Sequence, residues 1–179
     1  MFAKIENDET KICSVGIGTD IDYYKSIGMT EMEVEEGYDG QWYVKGYAPT
    51  QPLDELKADK LAEIDAWTAA KITGGFVSNA SGEAVTYDSD KDTQLTMQGI
   101  ALNVNTELFA EKYPTGCPVR GYPEDSDTKQ IYMLSPAQVM QWQADLSIHI
   151  GTCKQNGWAK QAEVAAAQSK EELEAIVLE

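Results

Sequence analysis

"TYDSDKDTQLTMQG", residues 86–99, decides how the second half of this chain is read. Asp88, Asp90 and Asp92 alternate as the first ligands of an EF-hand loop do, so the stretch is either a calcium site or a strand running into a helix. A calcium loop beginning at Asp88 needs glycine at its sixth position and a bidentate glutamate at its twelfth, where Thr93 and Gly99 stand. Two ligand oxygens and the sharp turn are therefore missing. The plainer reading has Tyr87 closing a hairpin, Ser89 or Asp90 capping a helix, and Asp92 placed at the positive end of that helix.

Outward from this junction, a helix is expected from about Lys91 to Tyr113, stopped by Pro114. Met97, Ile100, Ala101, Val104 and Leu108, with Leu95, Leu102 and Phe109 beside them, make its apolar face broad, which predicts a central place in the core. Upstream, "FVSNASGEAVTYDSD" reads as a short hairpin turning at Ser81-Gly82. Before it, Leu53, Leu56, Lys60, Ile64 and Trp67 recur at helical steps, and Gly74-Gly75 ends that helix. Downstream, residues 114–133 read as irregular or a loose hairpin. "SPAQ" then opens a third helix, with Ser135 as cap, Pro136 at the first helical position and Gln138 completing a capping box. Val139, Trp142, Leu146, Ile150 and Cys153 form its stripe, and Gly157 is a candidate interruption. Ser169 and Glu172 start a short last helix.

Residues 1–50 read as strands. "FAKIE" and "KICSVGI" flank the polar "NDET". Glu31, Glu33 and Glu35 alternate with Met32 and Val34, and Asp39-Gly40 supplies a hairpin turn. On the return strand Trp42 and Val44 share one face, and Tyr43, Lys45 and Tyr47 the other. "APTQP", residues 48–52, is a linker. The expected fold class is α+β: a small N-terminal antiparallel β module over 1–50, then over 51–179 a mainly α domain of three to four helices with a short inserted β-hairpin.

Net charge is −16, and such a surface repels phosphate backbones, which argues against nucleic-acid binding. No run of about 18 apolar residues is present, so no membrane span is expected. The charged start "MFAKIENDET" argues against Sec-type secretion and for folding in a cytoplasm. Cys13, Cys117 and Cys153 are isolated and read as small buried apolar residues.

His149 is the only histidine. Cys153 lies four residues on, but no further metal ligands are close in sequence, so a structural role is expected. "VGIGTD", residues 15–20, has two glycines of a dinucleotide fingerprint, but Ile21 takes the place of the third. No phosphate-binding loop and no nucleophile elbow is present. No catalytic residue, metal ligand or cofactor is assigned, and the chain reads as non-enzymatic. Among Tyr38, Trp42, Tyr43 and Tyr47, one face packs inward and the other is open to a partner. Trp42, Tyr43 and Tyr47 are the candidate partner-binding residues.

From Leu53 onward the chain resembles a family of bacteriophage proteins of unassigned function encoded among tail and tail-fibre genes. The matching residues are Lys60, Glu63 and Ile64; Gly74-Gly75; Tyr87, Asp88 and Asp90; Gln94 and Gly99; then Leu134, Val139, His149, Cys153 and Lys160. The front part, "EGYDGQWYVKGYAPTQPLDELK", is similar to connectors of phage tail proteins and of tail-fibre assembly chaperones. One departure is that the tryptophan expected before the last helix is replaced by Tyr122 and Tyr132. The resemblance implies a protein acting in the host cytoplasm during assembly or residing in the virion tail. Its partner would be a tail-fibre or other tail protein, with homo-oligomerisation open. A permanent virion component and an acidic inhibitor of a host protein are the alternatives.

Overall fold

In the computed structural model, which describes residues 1–179, the junction at 86–99 is a strand, a cap and a helix. Asp90 is the N-cap: its carboxylate accepts the Asp92 and Thr93 backbone N–H groups, each at 3.0 Å, while Asp92 sits in the first turn. Ser89, completely buried, closes the preceding helix instead. Its hydroxyl accepts the Gly75 N–H at 2.9 Å and donates to the Ile72 carbonyl at 2.6 Å. The two residues offered as alternative caps thus serve two different helices.

The chain divides into two compact units, Met1–Leu56 and Lys57–Glu179. In the first, strands β1 (Phe2–Asn7), β2 (Ile12–Val15), β3 (Thr30–Glu31), β4 (Val34–Glu36) and β5 (Trp42–Val44) form one antiparallel sheet, in the order β3-β1-β2-β5-β4. The sheet curls into a half-barrel. Its buried apolar set is small: Ala3, Cys13 and Tyr43. A short helix, α1 (Ile21–Ser26), stands between β2 and β3, capped by the Asp20 carboxylate. Its Tyr24 ring stacks on Phe2, with centroids 6.2 Å apart. Gly16 and Gly18 make room for that ring, since a Cβ at Gly16 would lie 2.8 Å from it. The two glycines of "VGIGTD" therefore accommodate a tyrosine.

The second unit holds α2 (Leu53–Thr73, which begins in the last residues of the first unit), β6 (Phe76–Ser78), β7 (Val85–Tyr87), α3 (Lys91–Asn103), α4 (Glu107–Lys112), β8 (Cys117–Pro123), β9 (Gln130–Leu134), α5 (Pro136–Ala166) and α6 (Lys170–Glu174). Strands β6 to β9 form an antiparallel sheet in sequential order. Its inner face presents Phe76, Val85, Tyr87, Cys117, Val119 and Leu134 to a core completed by Met97 and Val104 from the α3 region and by Val139, Trp142 and Leu146 of α5. Tyr87 and Trp142 meet edge to face at 5.5 Å. Buried Ser78 donates to the Asp145 carboxylate at 2.5 Å, tying the sheet edge to α5.

α5 runs for 31 residues through Gly157, which is no interruption. The glycine lies against α2, where a Cβ would approach Thr68 Oγ1 to 2.4 Å. The two helices are antiparallel. Lys57 Nζ donates to the Ala165 carbonyl at 3.2 Å, Gln161 Nε2 to Asp65 at 2.7 Å, and His149 Nε2 to the Lys71 carbonyl at 3.0 Å.

The expected architecture is overturned. The protein is α+β with six helices and two antiparallel sheets of five and four strands, 46% helical and 20% strand. The second unit is not a mainly α domain of three to four helices with a short hairpin. Residues 114–133, read as irregular or a loose hairpin, form with Leu134 a regular antiparallel pair, β8 and β9, the two longest strands of this sheet. Pro118 and Pro123 count against a central strand because proline cannot donate to the ladder, yet β8 pairs with both neighbours. The helix expected from Lys91 to Tyr113 breaks at Val104–Thr106, where Thr106 caps α4. Its apolar face is only partly central: Met97 and Val104 are buried, whereas Leu95, Leu102 and Leu108 are exposed. α1, in a region read as all strand, is the remaining difference.

Two substitutions test this packing. At Gly121 a Cβ would lie 2.4 Å from Val85 and 2.9 Å from the Tyr87 ring, so Gly121→Ala is expected to lower stability by about 1–3 kcal/mol in urea denaturation. Ser89→Ala leaves the Gly75 N–H and the Ile72 carbonyl without this partner and is expected to cost about 1–3 kcal/mol in the same assay.

Candidate functional site

The three aromatic candidates part company in the structure. β5 lies between β2 and β4, with Tyr43 opposite Ile12 and Glu35 and Trp42 opposite Cys13 and Glu36. Tyr43 is 5% exposed and packs over Gly37, where a Cβ would come within 2.6 Å of its ring. Its hydroxyl donates to Asp39 Oδ2 at 2.6 Å, and the Gln41 N–H donates to Asp39 Oδ1 at 3.1 Å. Tyr43 thus closes the β4–β5 turn from inside the unit. Trp42 is half-buried. Tyr47 is 58% exposed and does not share the face of Tyr43. The strand ends at Val44 and the chain turns at Gly46, whose φ is +87°. The Glu35 carboxylate accepts the N–H groups of Gly46 and Ala48 on either side of Tyr47. Alternation cannot be carried past that turn.

The acidic triplet disperses as well. Asp88 is ion-paired with Lys129, Asp90 caps α3 and Asp92 lies in its first turn. His149 Nε2 donates to the Lys71 carbonyl, and Cys153 Sγ lies 3.7 Å from the same nitrogen and 4.0 Å from Nδ1. No group of three His, Cys, Asp or Glu side chains converges anywhere in the chain. The pair is a tether from α5 to the end of α2.

A surface that sequence reasoning missed lies on the outer face of the second sheet. Register places Val77 beside Thr86, Thr86 beside Tyr122, Arg120 beside Ile131 and Pro118 beside Met133. An antiparallel sheet with one solvated face ordinarily carries polar residues there. Here Val77 is 61%, Ile131 66% and Met133 47% exposed. Lys129 lies 5.1 Å over the Tyr122 ring. Arg120, the only arginine in the chain, is exposed among these side chains, and none of the ion pairs includes it. The signal was present as alternation in "CPVRGYP" and "QIYML", masked by the two prolines. A cleft of about 500 Å³, which shares Met133 with this face, opens between α4 and the start of α5, lined also by Phe109, Tyr113, Cys117, Leu134 and Pro136. Burial pushes the Cys117 thiol pKa up, which suits an inert core thiol.

The sequence pattern of DUF4376, a domain of unknown function, matches residues 55–177, most of the chain and nearly all of the second unit. The chain belongs to the DUF4376 family. Among curated proteins and among solved structures, nothing matches it significantly. The sheet with the apolar outer face, the cleft and the α2–α5 pair all fall within the DUF4376 span, whereas Trp42, Tyr43 and Tyr47 precede it. No helix is long and apolar enough to cross a membrane.

The Tyr43–Asp39 bond gives the first unit a pH signature. Donation to Asp39, reinforced by burial, pushes the Tyr43 pKa up to about 12, and the same bond holds Asp39 below the usual carboxylate range. The tyrosine contribution to stability is complete below the free phenol value of about 10 and is lost as pH rises toward about 12. The aspartate contribution is present above the free carboxyl value of about 3.9 and is lost as pH falls through the depressed one. In ultraviolet titration, the difference between wild type and Tyr43→Phe is expected to show a phenolate appearing near 12. Asp39→Asn should bring that step down toward about 10.

Proposed function

We propose that this chain is a non-enzymatic, bacteriophage tail-associated protein that docks a tail-fibre or receptor-binding protein, as an assembly chaperone or accessory, in the host cytoplasm. The observation that carries the docking is the outer face of the second sheet. On it Val77, Ile131 and Met133 are exposed at the two edges, with Tyr122 and the unpaired Arg120 on a strand between, a mixed apolar, tyrosine and arginine composition found at protein-contact surfaces. Arginine and tyrosine anchors contribute most at such surfaces, and Arg120 and Tyr122 stand together on β8. In a chain of net charge −16, neither β8 nor β9 carries an Asp or Glu, so a partner meets no carboxylate on these two strands. The tail context rests on the resemblance at Lys60, Gly74-Gly75, Tyr87, Gln94, Gly99, His149 and Cys153. In the structure Gly75, Tyr87, Gln94 and His149 shape and brace the fold, so the resemblance bears on lineage and the outer face bears on binding.

Co-expression with a phage tail-fibre gene tests the reading. The wild-type chain should raise the yield of soluble, trimeric fibre, and Val77→Lys and Arg120→Glu, both exposed and remote from the core, should abolish that gain with the fold intact by circular dichroism. Fibre solubility and trimer formation that are the same with and without this protein would overturn the chaperone role. Stoichiometric recovery of the chain in purified particles, measured by mass spectrometry, would reassign it as a permanent virion component.

A further inference from the structure

β9 is an edge strand, and it lacks the features that keep edges from pairing. The sheet ends on it, its register with β8 is regular from Gln130 to Leu134, and "QIYML" contains no charge, proline or glycine. The opposite edge, β6, is blunted by being only three residues long.

We propose that β9 pairs antiparallel with β9 of a second copy of this chain, joining two four-stranded sheets into one continuous sheet. The segment is its own complement. Pairing centred on Tyr132 sets Ile131 against Met133 of the second copy and Met133 against its Ile131, so the two exposed apolar residues of the strand cover each other twice. Because Pro118 neighbours Met133 and Arg120 neighbours Ile131 within each sheet, the outer face becomes an unbroken row running Pro118, Met133, then Ile131 and Arg120 of the second copy. No like charges oppose each other at this seam, and the edge bears no charge pattern that would select a foreign strand instead. Repulsion between two chains of net charge −16 acts from a distance and is screened by salt, so the dimer tightens as salt rises. A contact held by opposite charges would weaken. The inference is independent of the tail-fibre reading, which needs the outer face but not a second copy.

Sedimentation equilibrium of the full chain tests it. A monomer–dimer equilibrium that tightens between low and high salt is expected. Ile131→Lys should weaken the dimer by about tenfold or more, whereas Val77→Lys, equally exposed on the far edge, should leave it unchanged. Register is read by cross-linking: Ile131→Cys mixed with Met133→Cys should give an oxidised heterodimer, and neither variant alone should exceed the wild-type background from Cys13, Cys117 and Cys153. Circular dichroism confirms that each variant folds. A monomer at every concentration and salt, a dimer indifferent to Ile131→Lys, or one abolished by Val77→Lys would overturn the proposal. A monomer that still rescues the fibre would overturn the dimer and leave the partner reading standing.

Discussion

The second unit depends on one burial event: the inner face of its sheet against the first half of α5. Strands of three residues, as β6 and β7 are, have no stability alone, and a sheet of this size needs a partner layer. Val139, Trp142 and Leu146 supply that layer, and the Tyr87–Trp142 contact lies at its centre. Once α5 is fixed there, its second half carries α2 along it, through Gly157 under Thr68 and Gln161 on Asp65. Ser89 then joins the end of α2 to the strand that leads into α3.

Burying one face of the sheet leaves the other to be accounted for. In most antiparallel sheets of this kind the solvated face is polar, and its apolar character here is not needed for the fold. Val77, Ile131 and Met133 are exposed and stand outside the core cluster, and exposed apolar groups of this kind are characteristic of contact surfaces. Ile131 and Met133 lie on the open edge strand β9, whereas Val77 lies on the opposite edge, β6. The first unit has the opposite economy: few residues are buried, and side-chain hydrogen bonds such as Tyr43 to Asp39 hold its turns.

Several features could be read from sequence because they are local. The helix entrance at Ser89-Asp90, the capping box at Ser135 and Gln138, the stop at Gly74-Gly75 and the α5 stripe each depend on residues within one or two turns of each other. The rejection of the calcium loop has the same origin, since the positions of its required glycine and glutamate are fixed by spacing alone. The candidate partner residues fared differently. Tyr43 and Tyr47 share a parity, but the turn at Gly46 separates a buried residue from an exposed one.

The sequence by itself determined where α3 and α5 begin and where α2 ends, that no EF-hand or dinucleotide fingerprint is complete, and which α5 residues face inward. All of these follow from short-range sterics and hydrogen bonding. Only the tertiary structure decided that residues 114–133 form the sheet's β8–β9 half, that Gly16 and Gly18 accommodate a tyrosine, that Leu102 lies outside the core, and that an apolar face and an uncharged edge stand open together. Strand pairing joins residues distant in the chain, and its free energy comes from contacts that no local window contains. For that reason β8 keeps its place despite two prolines, and the exposed apolar side chains of the outer face were located only once the sheet was assembled.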